Sequence, residues 1–164
     1  MRRRRKPELL AALRESGAEF ASRLRGLPGA HFQSGRYENG WNARQILAHV
    51  AAIEWTYANL VDVAKQAGST SGDGEQRASG EVRGGIDAYN ERQVAKRADA
   101  TPDELLDEFE RNRQKTIAAI EATPEELLAA PIRSGGGIEG SLGSVFHAVA
   151  VGHVREHLRD IVGG

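Results

Sequence analysis

The 164-residue chain has no cysteine, a single methionine and only 5% aromatic residues. Without a thiol it can form no disulfide framework, thiolate nucleophile, CxxC redox pair or iron–sulfur cluster. Thiol chemistry would therefore need a thiol from another molecule, and any metal must rest on His, Asp or Glu. Neither charge sign dominates: 22 Lys and Arg stand against 23 Asp and Glu, a formal net charge of −1. That balance argues against a general nucleic-acid binder. No run approaches the roughly 18 apolar residues that a membrane span requires. Strand-like alternation is lacking too, as is a Gly-Lys-Ser/Thr phosphate loop. Gly135, Gly137 and Gly140 have the spacing of a dinucleotide fingerprint, but that motif works only after a strand in a βαβ unit. Residues 129–133 do not read as a strand.

What the chain does have is 40% hydrophobic and 27% charged residues, the make-up of one soluble domain spanning 1–164. The run Arg2-Arg3-Arg4-Arg5-Lys6 reads as a basic, frayed terminus over residues 1–6. An amphipathic helix follows it rather than an apolar signal segment, so the cytoplasm is the expected location. A phosphate-binding arm is the lesser alternative for this run.

Four long helices are predicted, and they should pack as one all-α bundle. The first starts at Pro7 and buries Leu9, Leu13, Phe20 and Leu24 before Gly26 ends it. The second starts at Asn42, which with Gln45 forms a capping-box signature, and runs unbroken to about Gln66. Residues 67–85 contain six Gly, three Ser and one Thr, a composition suited to a flexible crossover or flap. Asp87 can cap a short helix to about Ala98. Thr101-Pro102-Asp103-Glu104 opens a helix through Ile120, and Thr123-Pro124-Glu125-Glu126 repeats the signal for a short one. The last helix runs from Ser141 to Val162 with no internal break.

Five histidines occur. His153 and His157 are one turn apart on the last helix, a spacing by which a helix can chelate one ion. On a helical wheel both lie at the edge of the buried stripe, and His49 lies at the rim of the second helix's stripe. Three imidazoles from two helices can therefore converge where core meets solvent. His147 falls about 80–120° away on the wheel and reads as structural. His31 falls in a polar loop and reads as a surface residue.

The segment Gly40-Trp41-Asn42-Ala43-Arg44-Gln45-Ile46-Leu47-Ala48-His49-Val50 resembles the start of helix two in the DinB-like superfamily. Gly152 to Ile161 resembles the last-helix H-x-x-x-H segment of that family. Ile86 to Asn90, followed by Thr101 to Arg113, resembles the branch related to the N-terminal domain of mycothiol-dependent maleylpyruvate isomerase. The resemblance implies an up-down-down-up four-helix bundle with a long crossover between helices two and three. It also implies a divalent metal, usually zinc or nickel, on His49, His153 and His157. Some relatives catalyse thiol transfer or thiol-dependent isomerisation with mycothiol, bacillithiol or glutathione.

Three imidazoles with an open position make a catalytic rather than a closed site. The first expectation is a transferase or isomerase that uses a low-molecular-weight thiol and an electrophilic substrate. Arg44, Arg92 and Arg155 are candidates to hold carboxylates, and Asp87 and Asn90 to orient ligands. A metal-dependent hydrolase is the alternative, with Glu54 as base or as partner to a ligand; a non-enzymatic stress-associated metal-binding protein is a third. Pairing into a homodimer is also expected.

Overall fold

The computed structural model describes residues 5–33, 40–69, 85–133 and 137–163, with backbone alone at 67–69 and 85–87. Pro7 lies in the first turn of α1, Lys6–Arg25, whose buried Leu9, Leu13, Phe20 and Leu24 recur at the expected three-to-four spacing. Lys6, the last of the basic run, is anchored: its ammonium donates to the carbonyls of Glu121 at 2.6 Å and Thr123 at 2.9 Å. The capping box of α2, Ala43–Glu54, is complete. Asn42 Oδ1 accepts from the Gln45 N–H, and Gln45 Oε1 accepts from the Asn42 N–H, both at 2.9 Å.

The long second helix of the sequence reading is two helices, α2 and α3, Ala58–Ser69. The break follows from Thr56, whose hydroxyl donates to the Ile53 carbonyl at 2.6 Å. The amides of Thr56 and Tyr57 reach back only three residues, to Ile53 and Glu54, which tightens the turn. Most of the anticipated 67–85 crossover lies outside the described residues. Helix α4, Gly85–Lys96, starts before Asp87, which therefore sits inside its first turn rather than capping it. Thr101 does cap α5, Pro102–Glu121, accepting from the Glu104 N–H at 3.1 Å. Thr123 does not repeat the device, because its hydroxyl donates to the Ala119 carbonyl at 2.6 Å. A 3-10 turn, Glu125–Ala129, follows.

A short antiparallel pair, β1 Pro131–Arg133 and β2 Glu139–Ser141, corrects the reading of this stretch as strandless. Ile132 pairs with Gly140 and is buried between two exposed neighbours. Three residues are too few to show alternation in sequence. The last helix is also interrupted. Helix α6, Leu142–His147, passes through a wide π turn, Ala148–Gly152, before α7, His153–Val162. In that turn the His153 N–H reaches back five residues to the Ala148 carbonyl. Two β-branched residues and a glycine, Val149, Val151 and Gly152, make it a weak stretch of helix. Gly163, at φ 79°, closes α7 in a left-handed cap.

The described chain is predominantly helical, and no helix in it is long and apolar enough to cross a membrane. Helix α2 packs on α4, α5 and α7, while α1 packs on α5, α6, α7 and the wide turn. The apolar core falls into two halves. One gathers Leu9, Leu13, Tyr57, Ile117, Ile120 and Phe146; the other gathers Phe20, Ile46, Leu47, Phe109, Val154 and Leu158.

Ser16, Glu54, Asn112, Arg113 and Thr116 are buried polar residues that fall, along the chain, between residues of the two halves. Arg113 forms a 3.1 Å ion pair with Glu54, and its guanidinium donates to the carbonyls of Leu13 and Ala150. Gly17 makes room for this arginine: a Cβ there would stand 3.1 Å from Arg113 Cγ. Alanine in mid-helix ordinarily gains about 0.5–1 kcal/mol over glycine. With Arg113 held from several sides, Gly17→Ala is expected instead to lower the thermal midpoint; a rise would show that the arginine stem yields freely.

Candidate metal centre

Helix α2 carries His49 on a face turned towards α7, and α7 presents His153 and His157 one turn apart. The three imidazoles meet, as their spacing suggested. Ring centroids are 4.4 Å apart for His153 and His157, 5.0 Å for His49 and His157, and 6.1 Å for His49 and His153. One ligand nitrogen from each ring lies within 4.8 Å of the other two. Tetrahedral ligation at about 2.0–2.1 Å needs nitrogens about 3.4 Å apart, so modest ring rotations would close the set on one ion. His49 is 4% exposed, and the other two are half-buried. The donor chemistry fits a divalent transition metal, with one or more positions left for a further ligand.

Two neighbours shape the triad. Asp160 Oδ2 lies 3.3 Å from His157 Nδ1, the usual way a carboxylate fixes an imidazole so that ligation falls to Nε2. The Trp41 ring packs 5.4 Å from that of His49. Sequence reasoning assigned a role to neither. The signal for Asp160 was its place three residues after His157, one turn further along the same helix face.

The other candidates are distributed more widely. Glu54 is fully buried against Arg113, so it is not poised to exchange protons with water. Arg44 donates to the carbonyls of Arg97 and Ala100 and so caps the end of α4. Arg155 lies 3.8 Å from Glu19, a half-exposed pair. Arg92 is exposed and Asn90 half-buried on α4, while the Asp87 side chain lies outside the described residues. His147 is half-buried at the end of α6, before the wide turn. His31 is not a loose surface residue: its Nε2 donates to the Ile161 carbonyl at 2.6 Å, tying the 3-10 turn Gly29–Gln33 to α7.

A family model described as the DinB superfamily matches residues 12–161. Among solved structures, mycothiol-dependent maleylpyruvate isomerase superposes with a TM-score of 0.73 at 19% identity. A histidine-to-alanine mutant of that isomerase matches at the same TM-score and 18% identity. Each match covers 95% of this chain but only 60% of the isomerase chain. No curated protein sequence matches.

Burial dominates the electrostatics of His49 and His157. It pushes His49 down to about 3, with His157 and His153 adding to the effect. It pushes His157 down to about 4, with His153 assisting and Asp160 opposing. Both are therefore neutral at pH 7, as ligation requires. In the unfolded chain they would protonate near 6.5. Between about pH 4 and 6.5 the unfolded state thus binds more protons, so stability of the metal-free protein rises with pH there and levels off above. Denaturant midpoints at pH 5 and 7.5 should differ more in the wild type than in His49→Gln; equal differences would contradict neutral burial of this ring.

Proposed function

The chain belongs to the DinB superfamily, and from that membership we propose that it is a metal-dependent enzyme acting with a low-molecular-weight thiol. The observation that carries the reading is the convergence of His49, His153 and His157 from two helices. In this proposal the three imidazoles hold one zinc or nickel ion, and Asp160 fixes the His157 ring. The bound dication would supply positive charge at an open position, lowering the pKa of a thiol there well below its ordinary 8.5.

The chain's own residues would provide the surroundings. Burial of His49 keeps water from one side of the site, and Trp41 offers an aromatic wall beside it. With no cysteine in the chain, the nucleophilic thiol comes from a second molecule, for which mycothiol, bacillithiol and glutathione are the candidates. The fold shared with the isomerase supports a thiol-dependent transfer or isomerisation on an electrophilic small molecule. The same reading keeps the up-down-down-up order of the bundle and a site in the cytoplasm, where such thiols are abundant. Glu54, the base that a hydrolase reading needed, is buried in the ion pair with Arg113, and this favours the thiol reading.

Two outcomes are expected. Titration with zinc or nickel should give one ion per chain, with affinity reduced at least about 100-fold in His49→Ala and His153→Ala; unchanged stoichiometric binding would exclude the triad. The metal-loaded protein should consume electrophilic acceptors only when one of the three thiols is added. Turnover without any thiol would contradict the proposal.

A further inference from the structure

Arg113 is 3% exposed, and its guanidinium joins three helices and a turn. Nη1 donates to the Leu13 carbonyl at 3.2 Å and to Ser16 Oγ at 3.3 Å, both on α1. Nη2 lies 3.1 Å from Glu54 Oε1 on α2 and donates to the Ala150 carbonyl in the wide turn at 2.6 Å. The arginine itself belongs to α5, where its guanidinium carbon lies 5.3 Å from the centre of the Phe109 ring. A single nitrogen thus touches α2, which carries His49, and the wide turn that leads into α7, which carries His153 and His157. Glu54 stands five residues after His49 on α2, and Ala150 three residues before His153.

We propose that Arg113 is a positioning residue for the histidine triad: a buried brace that locks α2 against α7 and so sets the distance of His49 from His153 and His157. The inference rests on the metal-site reading for its metal readout, and on the geometry alone for its other one. The wide turn is where such a brace matters. Residues of an α-helix advance about 100° each, so a one-residue slip at Ala148–Gly152 would turn both histidines away from α2. The apolar contacts on either side, Val149, Val151, Val154 and Leu158, are non-directional and can repack. A planar guanidinium cannot accommodate a slip, because its donors are fixed in one fork.

The Glu54 carboxylate completes the brace. Burial raises its pKa and the Arg113 charge opposes that rise. The carboxylate lies 3.1 Å from the guanidinium as an ion pair, and Thr116 beside it also favours the charged form. Charges left in a core in this way can specify register rather than add stability, as a buried polar residue does in a coiled coil.

Three variants test the brace. Arg113→Lys keeps a cation beside Glu54 but loses the fork. Glu54→Gln/Arg113→Met removes both charges, so that no buried ion is stranded. Leu128→Ala, in the half of the core that takes its fully buried residues from neither α2 nor α7, controls for lost stability. Two readouts are taken on protein shown to be folded by circular dichroism: cobalt(II) affinity with its visible absorption bands, and the imidazole nitrogen resonances of the metal-free protein.

Both Arg113 variants are expected to bind cobalt at least about tenfold more weakly, with altered bands. They should also shift the ring resonances of His153 and His157 without metal. Leu128→Ala should do neither. Wild-type affinity and ring resonances in the folded double variant would overturn the proposal, as would equal changes in Leu128→Ala. If the wild type itself binds no cobalt, the metal reading fails, and the metal-free resonances alone decide whether Arg113 positions the rings.

Discussion

Helix α2 is buried on almost every side, and much of the structure answers to that constraint. Nine of its twelve residues, from Ala43 to Glu54, are buried, so it cannot turn a polar face to water as an amphipathic surface helix does. Two of the nine, His49 and Glu54, carry groups that hydrogen-bond or ionise. Each must find its partner inside the protein, since an unpaired buried polar group or charge is costly. His49 finds two further imidazoles and an indole. Glu54 finds Arg113, which brings Leu13, Ser16 and the Ala150 carbonyl into the same layer.

The two solutions differ chemically. At Glu54 an ion pair is enclosed in the core, where it can fix register but has little access to water. Around His49, among the described residues, the groups that act on its charge are two more imidazoles, and both oppose protonation. The site is thus a cluster of imidazole donors at the edge of the core, with a carboxylate, Asp160, behind His157. A dication suits it: it brings a positive charge that His49 and His157 do not hold at pH 7, and it binds the neutral form that their burial favours. Surface pairs such as Arg25 with Asp107 and Glu110 have no comparable influence, because solvent screens them.

The features that were legible in sequence are those encoded by short-range spacing. The capping box at Asn42 and Gln45, the Thr101-Pro102 start of α5 and the four-residue interval of His153 and His157 are all local signals, and all form. His49 was placed beside the pair by its position at the rim of an apolar stripe. The interruptions were not legible. Thr56 ends α2 through a side-chain bond to Ile53, and the wide turn at Ala148–Gly152 includes a carbonyl held by an arginine 37 residues earlier. Neither changes the apolar periodicity enough to show. The β1–β2 pair is too short to carry a period. Arg113 did leave a trace, a cation in the apolar stripe between Phe109 and Ile117 on α5, but its partners lie on three other elements and no local rule connects them.

Anomalous diffraction at the nickel or zinc edge, from crystals grown with the metal, would show whether one divalent ion sits among these three rings. One strong peak per chain is expected, about 2.0–2.2 Å from a nitrogen of each of His49, His153 and His157, with Asp160 still against His157 Nδ1. A peak held by other residues, or none in the triad at saturating metal, would contradict that reading.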